Sequence, residues 1–159
     1  MNYSKLYVII FILIYSCQTK NENISPFDQN KAISDIYNIN NIKIQKLDTL
    51  HIRTFNYWNK LINISDKINR ISLESNGHKS IVNAIKLDLE EVNKNNIPYP
   101  FNVPEIIGRL RVFKTFVYKI NLYEINEENI VMYKDDIKKM IVSYNSLVEK
   151  LNSIVNTNN

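Results

Sequence analysis

Residues 130–154, IVMYKDDIKKMIVSYNSLVEKLNSI, carry the apolar repeat that decides the fold class. The repeat advances in alternating steps of three and four residues, through Ile130, Tyr133, Ile137, Met140, Tyr144, Leu147, Leu151 and Ile154. Because an α-helix turns once every 3.6 residues, this spacing keeps the apolar side chains on one face for about seven turns. The sequence therefore predicts a long amphipathic helix, with Asn126 as its N-terminal cap.

A second long repeat predicts another helix in the first half of the chain. It contains Leu47, Leu50, Thr54, Tyr57, Leu61, Ile64, Ile68 and Ile71, and its apolar face is widened by Phe55, Trp58 and Ile62. A face this wide is typical of a helix that packs against two neighbours.

Two shorter repeats predict the remaining helices. The first contains Val82, Ile85, Leu89 and Val92, and the second contains Ile106, Leu110, Phe113, Val117 and Ile120. We expect Gly77 to form a helix C-terminal cap before the first of these helices, and Pro104 to occupy the first position of the second.

Four amphipathic helices with short connections indicate an all-α fold, an antiparallel four-helix bundle over residues 28–155. A short additional helix is predicted within residues 25–38, where Ser25 and Pro26 suit a helix start. Residues 156–159 are expected to be a disordered C-terminus.

The first residues form an apolar leader that ends at Cys17, the one cysteine of the chain. The run LYVIIFILIYS is about half as long as a membrane-spanning helix requires. It has the layout of a signal peptide. Ile14, Tyr15, Ser16 and Cys17 resemble the lipobox of bacterial lipoproteins. The resemblance implies a signal peptide at residues 1–16, and a lipidated Cys17 followed by a tether to residue 27.

This resemblance also implies a location in the cell. A lipidated Cys17 would anchor the protein to a membrane of the bacterial cell envelope. Gln18 is not the aspartate that is associated with inner-membrane retention in enteric bacteria. The expected location is therefore the outer membrane, on its periplasmic or its surface face.

Composition excludes several classes of function. The net charge of +4 is too small to indicate a nucleic-acid partner. No cysteine remains after Cys17 for a disulfide or a zinc site, and His51 and His78 lack a second ligand at metal spacing, so no metal or cofactor is expected. We interpret both histidines as solvated residues. Adjacent carboxylates such as Asp135 and Asp136 point about 100° apart on a helix and are interpreted as solvated too. Nothing here predicts an enzyme.

One segment is a candidate partner-binding site. Tyr99 and Phe101 lie in a proline-rich loop, where a stiff backbone favours low-entropy binding. Arg109, Arg111 and Lys114 follow on the next predicted helix and suit an anionic or aromatic partner. In the competing interpretation the two rings cover the end of the bundle, and the cations form a solvated face.

The sequence leaves the function open among three classes. The first is a non-enzymatic interaction or accessory lipoprotein that docks on another envelope protein. The alternative is a helical bundle that binds a small apolar or anionic ligand between its helices. An immunity protein against a toxin that acts in the envelope also fits the size and the address.

Overall fold

A computed structural model of the chain describes residues 27–28, 43–48, 50, 52–56, 58–71, 77–92 and 95–157. Its helices are α1 (Ile52–Asn56), α2 (Asn59–Ile71), α3 (His78–Glu91), α4 (Pro104–Asn121) and α5 (Ile130–Thr157). These described residues contain no strand, and the predicted all-α class is confirmed. Cys17 with its leader, His51, Tyr57, most of the tether and most of the predicted helix at residues 25–38 lie outside the described residues.

The four long helices run antiparallel to their neighbours in sequence. In each pair of helices, the residue numbers of the contacts rise along one helix while they fall along the other. These contacts are Lys60–Glu91 and Lys67–Asp88 between α2 and α3, Lys114–Val92 and Lys86–Tyr118 between α3 and α4, and Arg109–Ser146 and Lys119–Asp136 between α4 and α5. A buried hydrogen bond from the Tyr144 hydroxyl to Ser65 joins α5 to α2 and closes the bundle.

The core contains the predicted apolar faces of all four long helices. The α5 repeat is buried from Tyr133 to Leu151, while Ile130 and Ile154 at its two ends are partly buried. The buried members of the shorter repeats are Val82, Ile85, Leu89, Val92, Ile106, Leu110, Phe113, Val117 and Ile120. Within the described residues, no helix is long and apolar enough to cross a membrane.

The helix that was predicted from the repeat between Leu47 and Ile71 is wrong in its N-terminal half. It is divided into α1 and α2, and Leu50, which was placed on the apolar seam, is 88% exposed. Leu47, Phe55 and Trp58, which were placed on the same predicted face, are buried. The reason is a contact distant in sequence: the Phe101 ring stacks on Phe55 at 5.4 Å and on Trp58 at 6.0 Å between centroids. These aromatic contacts set which side of α1 faces the core.

Gly77 and Pro104 mark the starts of α3 and α4. Gly77 has a φ of 77°, the left-handed conformation that glycine adopts readily, but it lies at the N-cap of α3 and not at the C-cap predicted for it. Pro104 occupies the start of α4 as predicted, where its missing N–H leaves no helical hydrogen bond unmade.

Asn126 caps the turn that leads into α5. Its side-chain oxygen accepts hydrogen bonds from the backbone N–H groups of Glu128 and Asn129, at 3.1 and 3.0 Å. Those are the donors that an N-cap residue satisfies. Regular helix begins at Ile130, one turn later than the cap alone suggested.

Candidate functional site

The two predicted aromatic residues of the proline-rich loop have opposite environments. Tyr99 is 92% exposed, whereas Phe101 is fully buried against Phe55 and Trp58. Phe101 therefore belongs to the core and not to a partner-binding surface, which corrects the prediction. The competing interpretation, in which the rings cover the end of the bundle, holds for Phe101 and fails for Tyr99.

The predicted cations of α4 lie on two different sides of the helix. Arg109 faces α5 and donates a hydrogen bond to the Ser146 hydroxyl at 2.8 Å. Lys114 faces α3, where its ammonium lies 3.3 Å from the Val92 carbonyl oxygen. Arg111 lies on the same side of α4 as Lys114, because side chains three residues apart on a helix point within about 60° of each other. The predicted site is thus not a single surface.

An exposed groove between α4 and α5 is the better-formed site. This α4–α5 groove has a volume of about 450 Å³ and is lined by Val112, Phe116, Asp135, Lys138, Lys139, Val142, Ser143 and Ser146. Val112 and Val142 are 52% and 51% exposed. Val131 is also exposed and lies three helical turns before Val142 on the same face of α5. Asp135 and Lys138 lie between these two valines on that face, so the exposed apolar side chains alternate with charged ones.

The charge at the α4–α5 groove is positive. Lys139 and Asp135 form an ion pair at 2.6 Å and largely compensate each other. Lys138 is exposed beside them, and among the described residues Arg109 bonds to the neutral Ser146 hydroxyl and not to a carboxylate. An apolar floor with a surplus of cations suits an amphipathic ligand that carries negative charge.

Asp136 forms a buried polar cluster between α4 and α5. Its carboxylate accepts hydrogen bonds from the Lys119 ammonium, at 2.8 and 3.0 Å, and from the Tyr123 hydroxyl, at 2.6 Å. Burial by itself raises the pKa of a carboxyl group, but these two donors outweigh it and hold the pKa of Asp136 below its usual value. The interpretation of Asp136 as a solvated residue was wrong, because its exposed fraction is 2%.

His78 and Tyr133 form a second buried contact at the same end of the bundle. The His78 Nδ1 atom lies 3.1 Å from the Tyr133 hydroxyl, and His78 is 2% exposed and not solvated as predicted. Burial disfavours the charged imidazolium and lowers the pKa of His78 to about 4. Burial also raises the pKa of Tyr133, so both groups are neutral at neutral pH.

The tyrosines of the α5 repeat keep their hydroxyls inside the bundle. Tyr144 is fully buried and donates to the Ser65 hydroxyl at 2.8 Å. Burial raises the pKa of Tyr144 to about 12. A polar atom in the core is tolerated when it is hydrogen-bonded, so these tyrosines serve packing and register.

A smaller groove lies beside Tyr99. It has a volume of about 350 Å³ and is lined by Tyr99, Pro100, Val103, Lys150, Ser153, Ile154 and Thr157. In this groove Tyr99, one of the predicted partner-binding residues, lies near Lys150 of α5. The part of the chain that the structure describes contains no group of three side chains that could hold a metal ion.

The buried polar residues left a signal in the sequence. His78 extends the repeat of α3 by one more step of four residues before Val82. Asp136 lies three residues after Tyr133 and four before Met140, which are the steps of the apolar face itself. Spacing alone thus places both residues near the core, although it does not identify their partners.

The geometry offers no arrangement of nucleophile, base and oxyanion donors among the described residues, but it does present an amphipathic groove. Comparison of the chain with protein-family models, curated proteins and solved structures gives no match.

Proposed function

We propose that this protein is a lipid-anchored, non-enzymatic interaction module of the bacterial cell envelope. Its α4–α5 groove binds an amphipathic helix with acidic flanks in another envelope protein. The observation that carries the proposal is the combination of half-exposed apolar side chains in the α4–α5 groove with a surplus of cations around them.

Support for the anchor comes from the sequence. Ile14, Tyr15, Ser16 and Cys17 resemble a lipobox, and they follow an apolar leader of signal-peptide length. One acyl chain gives only marginal membrane binding, whereas a diacylated or triacylated cysteine is a stable anchor. A module held this way shares the membrane surface with its partner, so a low affinity of the groove for the partner is enough for association.

Support for a helical partner comes from the shape of the α4–α5 groove. Val112 and Phe116 are one turn apart on α4, and Val142 lies opposite them on α5. Apolar side chains at one-turn intervals are what an amphipathic helix inserts into a groove. Arg109 and Lys138 then lie where acidic residues at the edge of that helix would reach them.

Lipidation is the first prediction. Replacement Cys17→Ser removes the thiol that would receive the lipid, and we expect it to abolish labelling of the protein by an alkyne-tagged fatty acid in growing cells. Ser16→Ala is the matched control, because alanine keeps the small residue before the cysteine and should leave labelling unchanged. Labelling that persists in the Cys17→Ser variant would remove the anchor from the proposal.

Partner binding at the α4–α5 groove is the second prediction. The measurement is quantitative mass spectrometry of proteins that co-purify with the tagged full-length protein from crosslinked cells. We expect Val142→Glu to reduce recovery of the partner at least about ten-fold, since a carboxylate in the groove repels acidic flanks and replaces an apolar contact.

The matched control is Leu87→Glu on α3. Leu87 is 52% exposed, almost the same as Val142, so both substitutions place one charge on a half-exposed helical position. Retention of the partner by Leu87→Glu and its loss with Val142→Glu support the groove. Equal recovery with both variants, or recovery of no envelope partner with the unaltered protein, contradicts the proposal.

Binding of a small apolar or anionic ligand is the second candidate, and the volume of the α4–α5 groove favours it. About 450 Å³ lies within the range of small-molecule pockets. Native mass spectrometry of the purified protein distinguishes the two functions. A bound molecule that Val142→Glu expels would support the ligand, and a protein of unaltered mass with a co-purified partner would support docking.

A further inference from the structure

Residues 43–48, here called the strap, are held against α5 by two asparagine side chains. Asn145 accepts a hydrogen bond from the backbone N–H of Gln45 and donates one to the carbonyl of Lys43, both at 2.8 Å. Asn152 likewise accepts a hydrogen bond from the backbone N–H of Asp48 and donates one to the carbonyl of Lys46, both at 2.9 Å. Each carboxamide therefore binds one carbonyl and one N–H of the strap backbone.

The spacing of the two asparagines fixes the conformation of the strap. Seven helical residues separate them, a rise of about 10.5 Å along α5. Their binding points on the strap are three residues apart, which spans about 9–10 Å only when the backbone is extended. Both points face the same helix, so the strap repeats every three residues. That is the repeat of a polyproline-II helix and not of a flat β-strand.

The residue between the bonded carbonyl and the bonded N–H is apolar in both halves of the strap. Ile44 lies between the first carbonyl and N–H, and Leu47 between the second pair. Leu47 is buried and Ile44 packs partly buried against the core. The asparagines contact only main-chain atoms, so the two apolar residues are the side-chain requirement that these contacts define.

We propose that the Asn145–Asn152 face of α5 is a binding site for an extended peptide with apolar side chains three residues apart. In this chain the site is occupied by the strap, and a peptide of the same pattern from a partner protein competes for it. Since the strap is covalently attached, its effective concentration is high, and a competing peptide binds well only when the strap is displaced.

Neither asparagine is among the residues that line the α4–α5 groove, although Lys138, a groove residue, lies two helical turns before Asn145 on the same side of α5. The inference rests on the hydrogen bonds of the strap and not on the groove, and substitutions at the asparagines leave the groove residues unchanged.

The test uses a fluorescently labelled synthetic peptide with the sequence of residues 41–50, NIKIQKLDTL, titrated with full-length protein. Ile44→Asp with Leu47→Asp places two charges in the strap and displaces it. We expect the labelled peptide to bind this variant at least about ten-fold more tightly than the unaltered protein. Binding should disappear when Asn145→Leu and Asn152→Leu are added, because leucine keeps the size of the side chain and removes its hydrogen bonds.

Two controls keep the result interpretable. A peptide with aspartate in place of its isoleucine and leucine at strap positions 44 and 47 should not bind. Circular dichroism should show that each variant retains its helices, and Ile44→Ser with Leu47→Ser serves as the milder displacement if the charged variant unfolds. Failure of the peptide to bind a folded, strap-displaced protein overturns the proposal. So does equal binding to proteins with and without the two asparagines.

Discussion

Phe101→Ala is expected to lower the free energy of unfolding by about 3–5 kcal/mol, the usual result of truncating a buried phenylalanine. Phe101 is fully buried and stacks on both Phe55 and Trp58, so the truncation removes two ring contacts as well as buried area. Because single domains are stable by about 5–15 kcal/mol, this is a large share of the total. Chemical denaturation monitored by circular dichroism measures the loss.

Leu122→Ala is the control for this prediction. Leu122 is 83% exposed after α4, and its truncation should change the unfolding free energy by less than about 0.5 kcal/mol. Phe101→Leu should lie between the two, since it keeps apolar volume and loses only the stacking. If Phe101→Ala unfolds at the same denaturant concentration as the unaltered protein, the proline-rich loop does not pack on α1.

The second large effect is a loss of stability in acid that depends on His78. The pKa of His78 is lowered to about 4 in the folded protein by burial, against 6.5 for an ordinary histidine. Between these values the unfolded chain binds a proton that the folded protein does not, so unfolding becomes easier as the pH falls. The difference in pKa corresponds to about 3 kcal/mol, fully lost near pH 4 and fully present above pH 6.5.

Comparison with His78→Gln isolates this contribution. Glutamine keeps a polar side chain near the Tyr133 hydroxyl but does not titrate, and the other histidine, His51, is unchanged in both proteins. We expect the unfolding free energy of the unaltered protein to fall more steeply between pH 6.5 and 4, by up to about 1.4 kcal/mol for each pH unit. Parallel pH profiles for the two proteins would show that His78 is accessible to water when folded.

The helices of this fold were predictable where one apolar repeat dominates. In α5 a single series of three- and four-residue steps runs for seven turns, and no other face of that helix is apolar enough to compete. Spacing therefore identified the members of this repeat from Tyr133 to Leu151 as buried, although it missed Ile141 and Val148, which are buried beside them. Asn126 was likewise recognisable because capping depends on contacts within one turn.

Prediction failed at the start of the second repeat. The predicted apolar face included both Leu50 and Phe55, which are about 140° apart on a helix, and only Phe55 is buried. Phe55 packs against Phe101, which is 46 positions further along the chain. A contact at that distance leaves no trace in local periodicity.

The candidate site was predictable only in part for a similar reason. Helical geometry alone separates Arg109 from Arg111 and Lys114, so the division of the cations was available from the sequence. The α4–α5 groove was not, because it depends on which face of α4 meets α5. The partners of the buried Asp136, namely Lys119 and Tyr123, lie in or next to another helix and are fixed only by that packing.

The strap has a consequence for the order of events in folding. Its hydrogen bonds join residues that are 100 to 106 positions apart in the chain. Asn145 and Asn152 are synthesised about 100 residues after the strap, which precedes all five described helices, so the strap cannot form these hydrogen bonds until α5 has been made. A nascent chain whose α5 is still in the ribosome therefore carries a strap that the two asparagines do not yet hold.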